Sequence, residues 1–156
     1  MPMHADTQTT TLPVSAEDAF AFLAQPENLP RWAVGFARGI RREGDDWIVQ
    51  TAQGEMPVRV CADATRGTID FHMRVAPGLE AIAYSRVVPN DSGAEYVFTQ
   101  FHPPGMPDEI FAAQRAALAE ELAILPILFR AQVACPRLPH TPRGGICTRV
   151  ELKVTA

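Results

Sequence analysis

The chain is poor in the residues from which most recognisable sites are built. Of its 156 residues only three are cysteine: Cys61, Cys135 and Cys147. The count is odd and no pair has CxxC spacing, so neither a disulfide framework nor a thiolate zinc site follows. The four histidines, His4, His72, His102 and His140, are spread too widely for a preformed metal site. No HExxH, glycine-rich phosphate loop or Ser-His-Asp order is present. No metal or cofactor is therefore expected. Basic residues number 14 against 18 acidic, giving a net charge of -4. They are scattered rather than massed on a stripe, which argues against a nucleic-acid partner. The greasiest run, "LAILPILF" at 122–129, is too short to span a bilayer and contains Pro126. The opening "MPMHADTQTTT" has neither a basic nor an apolar region of a secretory signal. The expectation is a reduced, cytoplasmic protein without membrane insertion.

What is present is the pattern of one globular domain. Apolar residues make up 47% of the chain and charged residues 21%, enough for a single core with a wet surface. "TQTTTLP" reads as a short first strand, rich in β-branched threonine and ended by proline. Ser15, with Asp18 three residues on, resembles a capping box. Ala19, Phe20, Phe22 and Leu23 then recur at helical spacing until Pro26. "PENLPRW" allows one further brief helix.

From residue 36 the period becomes two. "FARGIRR" and "DDWIVQTA" flank Gly44, "EMPVRVCAD" and "GTIDFHMRV" alternate, and "LEAIAYSRVV" and "AEYVFTQFH" complete about six strands. Such spacing without intervening helices predicts an antiparallel meander. Beyond "HPPGMP", Pro107, Asp108 and Glu109 favour a helix start. A long helix to about Val133 is predicted, with Phe111, Leu118, Leu122, Leu125 and Phe129 on one stripe. Arg115, Glu120 and Glu121 fall largely off that stripe, and Pro126 should bend the helix. "CPRLPHTPRGG" reads as linker. "ICTRVELKV" alternates again: either a strand added to a sheet edge, in this chain or a neighbour's, or a disordered tail.

The order of elements, with "PENLPRW", "GDDWIVQT" followed by "GTIDF", and "PPGMPDEIF" before the long helix, resembles the START-like (SRPBCC) superfamily, in its polyketide cyclase/dehydrase-like branch. The resemblance implies an α+β helix-grip fold over residues 7–133. In it a curved antiparallel sheet of about seven strands wraps around a long C-terminal helix, with two short helices between strands 1 and 2. It also implies an apolar cavity between sheet and helix. Residues 134–156 lie outside the pattern.

Alternation assigns the faces, because successive strand residues point to opposite sides. Ile69, Phe71, Met73 and Val75 should turn inward, and Asp70, His72 and Arg74 outward. Burying unpaired Glu80 and Arg86 would be costly, so Leu79, Ala81, Ala83, Ser85 and Val87 should face in. On the next strand Tyr96, Phe98, Gln100 and His102 are the inward set. The row Ala81, Ala83, Ser85 is unusually small, and either admits the helix more closely or leaves space beneath it.

The candidate lining is thus Trp32, Phe71, Met73, Ala81, Ala83, Ser85, Tyr96, Phe98, Gln100, Phe111, Gln114 and Leu118. Trp32 is either a gate over the cavity mouth or core. His102 is either a general base, since an imidazole titrates near neutrality, or a hydrogen-bonded residue at a strand end. Three functions follow in order. The first is a binding module for a small apolar, aromatic or lipid-like metabolite. The second is a cyclase or dehydratase using His102, with Gln100 or Tyr84 orienting a carbonyl. The third is a ligand-free interaction module. An exposed sheet edge invites pairing, so a homodimer is the expected assembly.

Overall fold

The computed structural model describes residues 1–134, and the predicted extra strand at 146–154 lies outside them. Seven strands form one antiparallel sheet. β1 (Ala5–Leu12) is followed by α1 (Ala16–Leu23), a 3-10 turn (Pro26–Asn28) and α2 (Leu29–Trp32). Six strands run in succession: β2 (Gly39–Glu43), β3 (Asp46–Thr51), β4 (Gly54–Asp63), β5 (Thr68–Ala76), β6 (Leu79–Asn90) and β7 (Gly93–Phe101). α3 (Asp108–Ala134) closes the domain. The spatial order is β1-β7-β6-β5-β4-β3-β2, so only the chain's return from β1 to β2 departs from a meander.

Local chemistry explains the boundaries. The Ser15 hydroxyl accepts from the Asp18 N–H at 3.1 Å and caps α1. Pro26 ends that helix by opening the 3-10 turn. Gly67 turns the chain between β4 and β5 at φ +71, and a Cβ there would fall 2.5 Å from the Val87 carbonyl oxygen. Both the dihedral and the close approach require glycine. α3 passes through Pro126 as one continuous helix.

Cross-strand partners share a face. Val58 opposes Met73 and Val60 opposes Phe71. Phe71 in turn opposes Ala83, and Ile69 opposes Ser85. Ser85 then opposes Phe98. This face carries the core: Val58, Ile69, Phe71, Ala83, Val87 and Tyr96 are buried against Leu23, Leu29 and Trp32 of the short helices and Leu118, Leu122, Leu125 and Phe129 of α3. Each fully buried side chain of this kind contributes about 1.5–3 kcal/mol. His72 and Arg74 stand on the other face, as alternation predicts. There His72 Nδ1 lies 3.2 Å from Glu80, and Arg74 pairs with Asp46 at 3.7 Å.

Two expectations are corrected. Val75 does not turn inward; it is 45% exposed. The β5–β6 register shifts between Arg74 and Ala76, a bulge that breaks the alternation just where Val75 sits. Glu121 is not a surface residue; it is only 7% exposed. It stands three residues after Leu118 and four before Leu125, hence on their side of the helix. Its carboxylate accepts from the Phe36 N–H at 2.9 Å, which anchors the segment after α2 to α3.

Candidate ligand-binding groove

α3 does not lie evenly across the sheet. Among the strands it runs closest along β1. Gln114 makes this visible. It shares nearly the same helical azimuth as Glu121, one heptad later. Glu121 is buried and Gln114 is exposed. The inner face of β4–β7 is correspondingly incompletely covered. Met56, Val60, Met73 and Phe98 pack on the core yet remain half-buried, and so does Ala81. Leu79, at the β5–β6 end, is 58% exposed. These side chains outline a candidate apolar groove, with Phe71 stacked on Phe98 at a centroid distance of 6.1 Å and Ala81 and Ala83 opposite Met73 and Phe71.

The small row has the predicted phase. Ala83 and Ser85 are buried, whereas Tyr84 and Arg86 are exposed on the outer face. Tyr84 therefore does not reach the inner face to orient a ligand carbonyl. It packs edge-on against Phe101 instead.

Inside, polar groups are few and mostly engaged. The Tyr96 hydroxyl donates to Ser85 Oγ at 2.9 Å, and Ser85 donates to the Ile69 carbonyl. Burial pushes the Tyr96 phenol far above its ordinary value, with the Ser85 bond opposing weakly. Trp32 meets Tyr96 edge-to-face at 6.0 Å. Among the described residues its indole Nε1 is the one buried side-chain nitrogen or oxygen without a hydrogen-bond partner.

The remaining predicted residues serve the frame. Phe111 and Leu118 are buried on the α3 stripe. His102 stacks on Phe111 at 4.6 Å, and its Nε2 lies 2.7 Å from the Met106 carbonyl oxygen. A carbonyl only accepts, so this nitrogen carries the proton and ties down the turn before α3. Gln100 donates to Asp6 rather than standing free for a ligand carbonyl.

Asp6 is the residue that sequence reasoning missed. It is only 8% exposed, at the start of β1. Gln8 and Gln100 donate to its Oδ2 at 2.9 and 3.1 Å, and Arg115 donates to its Oδ1 at 2.9 Å. Desolvation pushes the carboxyl upward, but these bonds and the Arg115 charge outweigh it and hold the group below its ordinary value. The same seam borders an open cleft of about 510 Å³ lined also by Ala112, Ala116 and Ala119. The signal for Asp6 was available: Asp6, Gln8, Thr10 and Leu12 share one phase of β1, the phase that faces the core at Leu12.

On the outer face, Arg41–Glu55, Asp46–Arg59 and Asp46–Arg74 pairs cover the strands. The depression among them has a volume of about 10 Å³, room for about one water. No cluster of metal ligands exists among the described residues, and no helix among them is long and apolar enough to cross a membrane.

No family model matches the sequence, and no curated protein matches it. Solved structures do. An uncharacterised protein from Bacillus thuringiensis superposes with a TM-score of 0.66 at 14% identity, over 81% of this chain and 99% of that one. A START superfamily protein from Mycobacterium smegmatis gives 0.61 at 16% identity, over 82% and 98%. The Zhui aromatase/cyclase from Streptomyces sp. R1128 gives 0.66 at 16% identity, over 85% and 96%. The chain has the helix-grip fold. At these identities the likeness concerns the backbone: a helix-grip sheet, short helices closing one end, and a long helix across its inner face.

Proposed function

We propose that this helix-grip protein binds a small apolar or aromatic, lipid-like metabolite in the groove between the sheet and the first half of α3. The observation that carries the reading is the incomplete burial of Met56, Val60, Met73, Ala81 and Phe98 on the side of the sheet that should be its core. A closed domain would bury these side chains, because each exposed apolar surface forfeits stabilisation at about 25 cal/mol per Å². An apolar pocket with few polar groups is the usual form of a small-molecule site. Retention suits it better than turnover. The hydroxyls of Ser85 and Tyr96, the amide of Gln100 and the ring of His102 each already hold another part of the protein.

The test is to fill the groove. Ala81 faces Met73 across the β5–β6 pair and is half-buried. Binding of 2-acetylnaphthalene and of oleic acid is measured by calorimetry for wild type and Ala81→Phe. Saturable wild-type binding of at least one probe, weakened tenfold or more in a variant that melts like the parent, is expected. Equal affinity in both proteins, or no saturable binding of either probe by wild type, overturns the reading.

A further inference from the structure

We infer that Trp32 is the polar anchor of this groove: its indole N–H receives an acceptor oxygen of the bound molecule, which narrows the ligand class to apolar compounds bearing a carbonyl or hydroxyl. The inference rests on the binding reading above. Its own ground is that Trp32 is 2% exposed while Nε1 finds no partner. Buried polar groups are paired in the great majority of cases, and leaving one unpaired costs about 1–3 kcal/mol. A phenylalanine would fill much of the same space without that cost, so the nitrogen asks for an acceptor.

The surroundings define what it would accept from. Trp32 ends α2, which packs between β2 and α3 at one end of the sheet. The segment that follows is clasped by Glu121, so the indole is held in place rather than free to turn toward solvent. Next to it the hydroxyl chain Tyr96 to Ser85 to the Ile69 carbonyl has both of its donors engaged. What remains is one donor, on Trp32, and unfilled acceptor positions on the Tyr96 and Ser85 oxygens. A carbonyl oxygen satisfies the first. A hydroxyl satisfies both, accepting from the indole and donating to the phenol. A carboxylate or ammonium would enter without a counter-charge on the groove's lining, which disfavours charged head groups there. The competing use of the N–H is a contact with the face of the Tyr96 ring.

Two matched probes separate these uses. 2-Acetylnaphthalene and 2-ethylnaphthalene have nearly the same shape, and only the ketone offers an acceptor. Wild type should bind the ketone roughly tenfold more tightly. Trp32→Phe keeps a ring in place and should bring the ketone's affinity down to the hydrocarbon's. In ¹⁵N-labelled wild type the indole resonances belong to Trp32 and Trp47 and are assigned by Trp47→Phe. The Trp32 signal should shift with the ketone far more than with the hydrocarbon, a readout that needs no folded Trp32 variant. Equal affinities for the two probes, or a Trp32 indole signal indifferent to the ketone, overturns the assignment and leaves the groove reading standing. Binding of neither naphthalene overturns it as well, and if oleic acid also fails, the groove reading falls with it.

Discussion

Arg115 Nε lies 2.9 Å from Oδ1 of Asp6, joining the last helix to the first strand. The other oxygen of Asp6 is held by Gln8 and Gln100, and Gln8 also donates to the Arg115 carbonyl at 3.0 Å. This seam fastens the first half of α3 to β1 beside an open cleft of about 510 Å³.

The seam should be visible in acid. Burial opposes ionisation of Asp6, but the three donors and the Arg115 charge win, so its folded pKa lies below the unfolded value. Stability from this group is present above the unfolded value, about 3.9, and is lost as pH falls through the folded one. Asp6→Asn should destabilise the protein by about 1 kcal/mol at neutral pH, a modest figure because Arg115 is half exposed. Urea unfolding between about pH 7 and pH 2.5 should show wild type losing this advantage over the variant below about pH 4. Parallel curves at all pH values would show that the carboxylate contributes nothing.

Glu121 carries the opposite sign. Burial raises its pKa, the Phe36 and Gly35 N–H groups pull it back, and Glu120 adds a like charge. A raised carboxyl is most favourable to the fold below its unfolded pKa, and that contribution is lost as pH rises through the folded value. Glu121→Gln retains an acceptor for Phe36 and removes the buried charge. It should stabilise the protein by about 1 kcal/mol at pH 7 and by nothing below about pH 4. Lower stability of the glutamine variant at neutral pH would mean that the charge itself holds the segment after α2.

Much of this architecture was legible in the chain. Alternation placed His72 on the wet face and Phe71 and Ala83 inside, because a half-buried sheet admits only one phase. Ser15 and Pro26 marked the first helix by backbone chemistry alone. Val75 was not legible, since a bulge between Arg74 and Ala76 leaves no mark in the hydrophobic pattern. The charge of Glu121 signals a surface residue, but its position three residues after Leu118 puts it on the buried side of α3. Asp6 and Gln100 meet across 94 residues of sequence, a pairing that no local pattern reveals. The idle N–H of Trp32 is a fact about surroundings and appears only in three dimensions.

Gly67 tests the turn that sets the β5 register. Any side chain must adopt φ near +71 and crowd the Val87 carbonyl, while Val87 N–H donates back to Gly67 O at 2.9 Å. Gly67→Ala should cost about 2 kcal/mol or more, combining left-handed strain with the clash. Thermal unfolding gives the answer directly. A variant as stable as wild type would mean that β5 and β6 can shift relative to this turn.

The groove itself is tested most directly through its methionines. Of the five in the chain, Met56 and Met73 pack half-buried on the inner face, whereas Met1 and Met3 are exposed and Met106 lies in the turn before α3. In protein labelled at the methionine methyl groups, titration with 2-acetylnaphthalene, or with oleic acid if only that probe binds, should move the Met56 and Met73 signals saturably and leave the other three in place. Absence of any saturable shift, or movement of Met1, Met3 and Met106 alongside them, would contradict a ligand between sheet and helix.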